Sequence, residues 1–409
     1  MKVFQINTVC GSGSTGRIAV NLAKMLEKHG DESIIAYARG QAPKEVMTWK
    51  IGNMWSIYFH GIMTRITDHH GLYSKKATRK LIAKMKDYNP DIIHLHNIHG
   101  YYLNYEILFE FLKEYQRPVV WTLHDCWSYT GHCSHYTYAK CDRWKHACYG
   151  CPQKRDYPGS LLFDNSKKNF EKKKECFTSL KYLQLVTPSV WLKEQVEQSF
   201  FGNHGNIKCE VIPNGIETNI FVKKEVSLRD KWKLQDKKII LGVANVWTKQ
   251  KGFDDFLRLA EQLDDSYQLV MIGVSEKQKQ LILKQYKNIL PLEKTKNIEE
   301  LVVWYSVADI YFNSSIEETM GMTTGEAICC GTPVVVYDST AIPESIGKNC
   351  GIIVPAKDIS RVKGAIEEIL ENKPQYVNGC TAYREHFKED KANNAYYNIY
   401  RESVLHTQV

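Results

Sequence analysis

Two carboxylates stand eight residues apart in the stretch "NSSIEETMGMTTGEAICCGTPVVV", Glu318 and Glu326, with Gly321 between them. A strand pattern ends at Asn313. From about Met322 the pattern is helical until Gly331, and Pro333 opens the next strand. This spacing predicts Glu318 in a loop and Glu326 about one turn inside a helix, near its start. The backbone N–H groups around Gly321, Met322 and Thr323 would then face an anion at the positive helix end. Two acceptor carboxylates beside an anion site suit a nucleotide-sugar. One takes sugar hydroxyls, the other ribose hydroxyls, and the helix end takes the diphosphate. Without context, the same pair reads as two solvated or capping carboxylates.

A second anion-binding candidate is "GSGSTG", Gly11 to Gly16, which follows the first strand and opens a helix. Its small residues, Gly13 and Gly16 among them, let backbone N–H groups approach a phosphate. A nicotinamide cofactor would also need an acidic residue at the end of the second strand. That strand, "ESIIAYARG", ends in Ala38 and Arg39, which leaves an NADP-dependent oxidoreductase as an alternative; a plain tight turn is another. No Lys-Ser/Thr pair follows, so the loop is not a P-loop. His124 closes the strand "VVWTLHD", where ligand-facing residues belong, and His96 in "IIHLHN" lines the same edge.

Between His124 and Pro152 the chain places five of its 12 cysteines and four of its 14 histidines. Cys148 and Cys151 form a C-x2-C half-site, and Cys133 and Cys141 are candidates to complete a tetrahedral zinc site, with His132 and His135 as substitutes. The segment has no clear periodicity and little evident means of ordering itself by packing, so a structural zinc would supply that order. Reduced thiols in a loop are the other reading, as is a redox role for Cys148 and Cys151.

The elements that must position these residues alternate. "KVFQINTV", "ESIIAYA", "DIIHLHN", "VVWTLHD" and "YLQLVTPS" read as strands separated by helices, and the pattern restarts at "CEVIPNGIE" and "KKIILGVANV". "YQLVMIGV", "NILPLE", "ADIYFNSS", "TPVVVYD" and "CGIIVP" complete a second series. Alternation of this kind predicts an α/β protein with two doubly wound, Rossmann-like domains facing a central cleft. The expected boundaries are 1–203 with a Cys/His-rich insertion at 126–155, then 204–380, and a C-terminal helix at 381–409 packing back on the first domain.

Composition is that of a globular protein, with 43% hydrophobic and 24% charged residues. No stretch reaches the ~18 apolar residues of a membrane span; the run "IGNMWSIYFHGIMTRI" is broken by Asn53, Ser56, His60 and Arg65. Glycines within "MKVFQINTVCG" come too early for a secretory signal, so a cytoplasmic location is expected. The net charge of +8 is carried by the first half of the chain, which suggests a polyanionic partner such as an anionic membrane surface. A zinc-containing nucleic-acid-binding protein would use the same charge, but it leaves the carboxylate pair idle.

The Glu318/Glu326 spacing resembles the E-x7-E motif of retaining glycosyltransferases with the GT-B fold, family four in particular. "VIPNGIETNIF", "LEKTKNIEELVVWYSVADIYFNSSIEE", "EAICCGTPVVV" and "VVWTLHD" are similar to further parts of that family. "HDCW…TGHC…C…C…CP" resembles its colanic-acid and capsule biosynthesis branch. The resemblance implies that Glu318 contacts the donor sugar, Glu326 the ribose and His124 the transferred sugar. It implies that Lys251 neutralises the leaving diphosphate, and that catalysis is metal-independent with retention. The family's Arg about five residues before that Lys is missing from "ANVWT", and Lys249 is the candidate substitute, although it lacks Arg's bidentate fork. The implied partners are a nucleoside-diphosphate sugar and a saccharide or polyprenyl-diphosphate-linked acceptor in surface polysaccharide biosynthesis. The implied place is the inner face of the cell membrane, with no nucleic acid.

Overall fold

The apolar runs form the strands of two separate parallel sheets. The computed structural model describes residues 1–205 and 207–408. It divides into one unit of Met1–Pro213 with the chain from Ala392 onward, and a second of Asn214–Lys391. In the first unit β1 (Lys2–Val9), β2 (Glu32–Arg39), β3 (Thr48–Lys50), β4 (Ile92–Leu95), β5 (Val119–Thr122), β6 (Leu183–Thr187) and β7 (Lys208–Val211) lie in the order β3-β2-β1-β4-β5-β6-β7. In the second, β8 (Lys238–Val243), β9 (Tyr267–Ile272), β10 (Ile289–Leu292), β11 (Ile310–Asn313), β12 (Val334–Asp338) and β13 (Gly351–Pro355) are ordered β10-β9-β8-β11-β12-β13.

Both orders follow the doubly wound rule, with the direction of winding reversing between β1 and β4 and between β8 and β11. Ligands of such sheets bind beyond the carboxyl ends at that reversal. β4 and β5 are buried along their whole length, as strands covered by helices on both faces must be. Pro291 sits in β10, an edge strand, where its missing N–H costs no ladder bond. The helix Gly13–Lys28 buries Ala19, Val20, Leu22, Ala23 and Leu26 along one face, the 3.6-residue period expected of it.

Three expectations need correction. β3 has no counterpart in the sequence reading, since "TWK" is too short to show alternation. "CEVI" was expected to open the second domain at 204, but it pairs in parallel with β6 from Gln184↔Lys208 to Thr187↔Val211. The first unit therefore runs to Pro213, because a lone strand pattern does not say which sheet accepts it. The helix expected from 381 is broken: a helix over Lys373–Tyr383, a 3-10 turn at Arg384–Phe387, then a helix at Glu389–Gln408. Phe387 is buried in the second unit's core and accepts a hydrogen bond from Ile216 N at 2.8 Å, so that unit extends to Lys391. Beyond it Tyr396, Ile399 and Tyr400 pack with Val3, Leu26 and Val120 in the first unit. Tyr400 OH lies 2.6 Å from His94 Nδ1, and Tyr396 OH 2.9 Å from Thr122 Oγ1. Among the described residues no helix is long and apolar enough to cross a membrane.

Candidate functional site

In the second unit, the loop after β8 is folded onto the end of β11. Trp247 is buried and donates from Nε1 to Ile272 O at 2.9 Å, anchoring the loop's start. The tight turn at Thr248–Phe253 is closed by Lys251 N donating to Thr248 O and Gly252 N to Lys249 O. Gly252 has φ +73°, and a Cβ there would lie 2.3 Å from Ser314 O; no other residue fits both demands. Ser314 Oγ donates to Lys251 O at 2.9 Å and Ile316 N to Gln250 O at 2.8 Å. The outcome is that Lys251 Nζ donates to Glu318 Oε1 at 2.5 Å. Glu318 is itself held by its N–H donating to Thr340 Oγ1 at 3.1 Å. Lys249 is exposed on the same turn.

The helix Met322–Cys329 begins four residues after Glu318, with Gly321 as its first flanking residue and no side-chain cap. Its start carries Met322 and Thr323, and Thr323 Oγ1 accepts from Tyr311 OH at 2.7 Å. A Cβ on Gly321 would meet Ser345 Oγ at 2.7 Å, so the glycine lets the helix start sit close on the neighbouring turn. Glu326 is buried at 4% exposure, and Tyr305 OH donates to its Oε2 at 3.1 Å. Burial and the neighbouring Glu326 hold the Tyr305 hydroxyl well above the usual tyrosine range, so it stays a donor. Lys251, Glu318, Gly321, Met322 and Thr323 thus gather at the carboxyl ends of β8 and β11. Glu326 is set deeper, against Tyr305.

In the first unit the glycine loop turns through Gly11 and Gly13, with φ +72° and +65°. Gly11 N donates to Gly16 O at 3.0 Å. Nothing lies within 4 Å of a Cβ position on Gly13, whereas one on Gly16 would be 3.1 Å from Gly11 N. Gly16 is a packing glycine and Gly13 lies on the open side of the loop. Arg39, the residue that kept an NADP reading open, donates instead to Gly100 O at 2.8 Å. Beside this loop, at the ends of β4 and β5, His96 Nδ1 lies 3.2 Å from His124 Nε2, and His96 Nε2 lies 3.1 Å from Gln5 Oε1. Burial pushes the His124 imidazole down to about 4 and His96 well below its ordinary value, so both are neutral near pH 7. Next along, Asp125 Oδ2 is 2.8 Å from His99 Nε2. A hollow of about 330 Å³ lined by Pro118, Val119, Tyr182 and Leu183 lies at the opposite, amino ends of β5 and β6, away from all of these groups.

The cysteine-rich insertion is ordered differently from the expected zinc clamp. Among the described residues no group of three or more His, Cys, Asp or Glu side chains is arranged to hold a metal ion. Cys148 Sγ accepts from Gly131 N at 3.1 Å, and the neighbouring Cys151 thiol and burial hold the Cys133 thiol well above its usual range. Cys141 is half-buried against the core. Aromatic packing supplies the order: Trp127, Tyr129, Tyr136 and Trp144 are all buried, with Tyr136 stacked on Trp144 at 4.7 Å. Lys173 Nζ sits 3.5 Å over the Trp127 ring and donates to Trp127 O and Thr130 O at 2.7 and 2.9 Å. Burial pulls that ammonium down to about 7. His132 pairs with Asp68, both buried. Sequence reading missed Lys173, Asp68, Thr340 and Tyr305 because their partners lie far along the chain and leave no local period.

Residues 15–220 match the family model described as Glycosyltransferase Family 4, and residues 224–390 match Glycosyl transferases group 1. The putative colanic acid biosynthesis glycosyl transferase WcaC of Escherichia coli K12 is 26% identical over 232 residues, 53% of this chain and 55% of that protein. The chain spans about half the length of the curated relatives it matches. Among solved structures, sucrose-phosphate synthase from Thermosynechococcus elongatus superposes with a TM-score of 0.71 at 15% identity over 98% of both chains. HepE of Anabaena, in complex with UDP-glucose, gives 0.65 at 14% identity over 98% of this chain and 100% of that one. These structures share the GT-B fold class of two parallel-sheet, Rossmann-like domains. One family model accounts for half of the chain, and the chain belongs to glycosyltransferase family 4.

Proposed function

We propose that this chain transfers a sugar, with retention, from a nucleoside-diphosphate sugar to a saccharide acceptor of surface polysaccharide biosynthesis, one carried on a polyprenyl diphosphate. The observation that carries the reading is the Lys251–Glu318 pair beside an uncapped helix start. In the free protein these two side chains neutralise each other. On binding a donor, Lys251 and the amides of Gly321, Met322 and Thr323 take the diphosphate, with Lys249 as a second cation. Glu318 is released to accept from the sugar hydroxyls, and Glu326, oriented by Tyr305, serves the ribose. HepE, solved with UDP-glucose, and WcaC, named for colanic acid, support this donor class and pathway class.

The bond from the sugar's anomeric carbon to the diphosphate oxygen breaks, and its electron pair leaves with the diphosphate. The acceptor oxygen bonds to the same carbon on the same face, and its proton passes to the departing phosphate oxygen. Fixed positive groups aimed at the charge that develops on the diphosphate need no reorganisation, which is where the rate comes from. Within the first unit, Gly13 stands on the open side of its loop while Gly16 packs it, and we assign His124, neutral and paired to His96, to accept a hydrogen bond from a sugar hydroxyl. The protein is expected to work in the cytoplasm without a catalytic metal. Incubation with UDP-, GDP-, ADP- and dTDP-sugars tests the reading: one donor should stabilise the fold and release its nucleoside diphosphate. Absence of binding and turnover with all four, acceptor lipid supplied, overturns it.

A further inference from the structure

The helix Met54–Thr67 carries large apolar side chains on its exposed side. Its inner face is settled by Ile57, His60 and Thr64, buried at the spacing of one helical stripe. The outer face should then be polar. Instead Trp55 is 83% exposed, Tyr58 61%, Phe59 58% and Ile62 56%. A second apolar group adjoins it: Leu161, Leu162 and Phe163 are 64%, 65% and 58% exposed. The two are fixed together, since Leu161 N donates to Arg65 O and Asn165 Nδ2 to Thr67 O, both at 2.7 Å. Scattered exposed apolar residues are ordinary, but a contiguous face of this size marks an interaction surface.

The rim identifies the occupant. Arg65 is exposed on the same helix, Lys154 Nζ lies 3.5 Å from Leu162 O, and Lys167 and Lys168 are exposed just beyond Phe163. Of the acids nearby, Asp164 is engaged by Cys151 N and Ser166 N at 2.7 and 2.9 Å, and Asp156 is exposed. Aromatic and aliphatic side chains bordered by cations, on a helix lying in the surface, match the water–lipid boundary of an anionic bilayer. We infer that this face docks on an anionic membrane, with the outer side chains of Met54–Thr67 and the tip Leu161–Phe163 inserted among the lipids. The inference deepens the proposed transfer reaction by bringing a lipid-borne acceptor to the first unit, and it rests on that reading only for the source of the acceptor.

The test is sedimentation of the full chain with phosphatidylcholine vesicles, with and without phosphatidylglycerol. The wild type should sediment with the phosphatidylglycerol vesicles and less with pure phosphatidylcholine or at high salt. Trp55→Ser/Phe59→Ser/Ile62→Ser and, separately, Leu162→Ser/Phe163→Ser should weaken binding by about tenfold or more, since each removes several buried methylene equivalents. Arg65→Gln/Lys154→Gln should abolish the preference for the anionic lipid. Lys154 is half-buried and the other positions are exposed, so melting temperature and donor turnover in vesicle-free solution should stay at the wild-type level. Failure of the wild type to sediment, or binding unchanged in both apolar variants, overturns the inference. So does a concentration-dependent dimer that the triple variant abolishes, because the face then belongs to a second copy. Donor turnover without vesicles reads the transfer reaction separately, so the two ideas can fail independently.

Discussion

At the scale of single residues, the Lys251–Glu318 contact separates a working pair from a stabilising one. The side chains are 34% and 22% exposed, and a pair that open contributes only about 0–1 kcal/mol to folding. If its purpose is to hold a diphosphate, Lys251→Ala should cost turnover by about 10²–10³-fold while the melting temperature barely moves. Glu318→Gln should behave similarly, and Lys249→Ala, at an exposed position outside the Lys251–Glu318 pair, should cost less. Nucleotide release and thermal melts of the same preparations measure both quantities; a large stability loss with intact turnover would contradict the assignment. Glu318, Glu326, Gly321 and Lys251 were legible from residue types and their similarity to a known motif. Thr340 and Tyr305 were not. A hydroxyl that holds a glutamate, by its backbone N–H or by its carboxylate, across 22 or 21 residues of sequence has no signature beyond being a threonine or a tyrosine.

At the scale of elements, the insertion after β5 shows how a segment without periodicity can still be packed. Its order comes from Tyr129, Tyr136 and Trp144 closing on one another, from Trp127 packed against Tyr105 and Phe177, and from Lys173 over the Trp127 ring. Trp144→Ala should therefore destabilise the first unit by about 3–5 kcal/mol, as large-to-small core changes do. Cys141→Ser should cost about 1 kcal/mol or less. A four-thiolate clamp would reverse that ranking, and chemical denaturation of the two variants decides between them. The aromatic residues were visible in the sequence, but which of them face each other depends on two 3-10 turns, at Trp127–Tyr129 and Arg143–Lys145, that no local pattern announces.

At the scale of the whole molecule, the end of the chain completes the core of its beginning. Tyr396 and Tyr400 are 2% and 0% exposed. Each such side chain is worth about 1.5–3 kcal/mol on burial, against a total domain stability of about 5–15 kcal/mol. A chain ending at Lys391 should accumulate as insoluble or protease-sensitive protein, measured by soluble yield and limited proteolysis. Protonation acts on the same core. Burial pushes His60 and His94 down to about 3 and His124 to about 4, from an ordinary 6.5. Between those values the unfolded chain binds protons that the folded chain refuses, so stability rises with pH and is lost on acidification from about 6.5 downward. His132 runs the other way: burial opposes its charge, but Asp68 raises it. Its contribution is full below 6.5 and fades as pH climbs through the raised value. With more histidines lowered than raised, the melting temperature should be lower at pH 5 than at pH 7. His94→Asn should flatten that slope, and an unchanged slope would count against the assignment.

The sequence alone determined the alternation of strands and helices, the two parallel sheets and the motif that names the family. Each of these is written in short-range periodicity or in residues close together along the chain. Tertiary structure decided the rest: that "CEVI" joins the first sheet, that the last helix closes the first core, and that aromatic packing orders the cysteine-rich insertion. It also decided that one face of Met54–Thr67 is left bare. Periodicity shows that a segment has an apolar side, but not what covers it, because cover is supplied by residues far away in sequence. Two helices with similar local patterns can therefore end with one buried and the other bare.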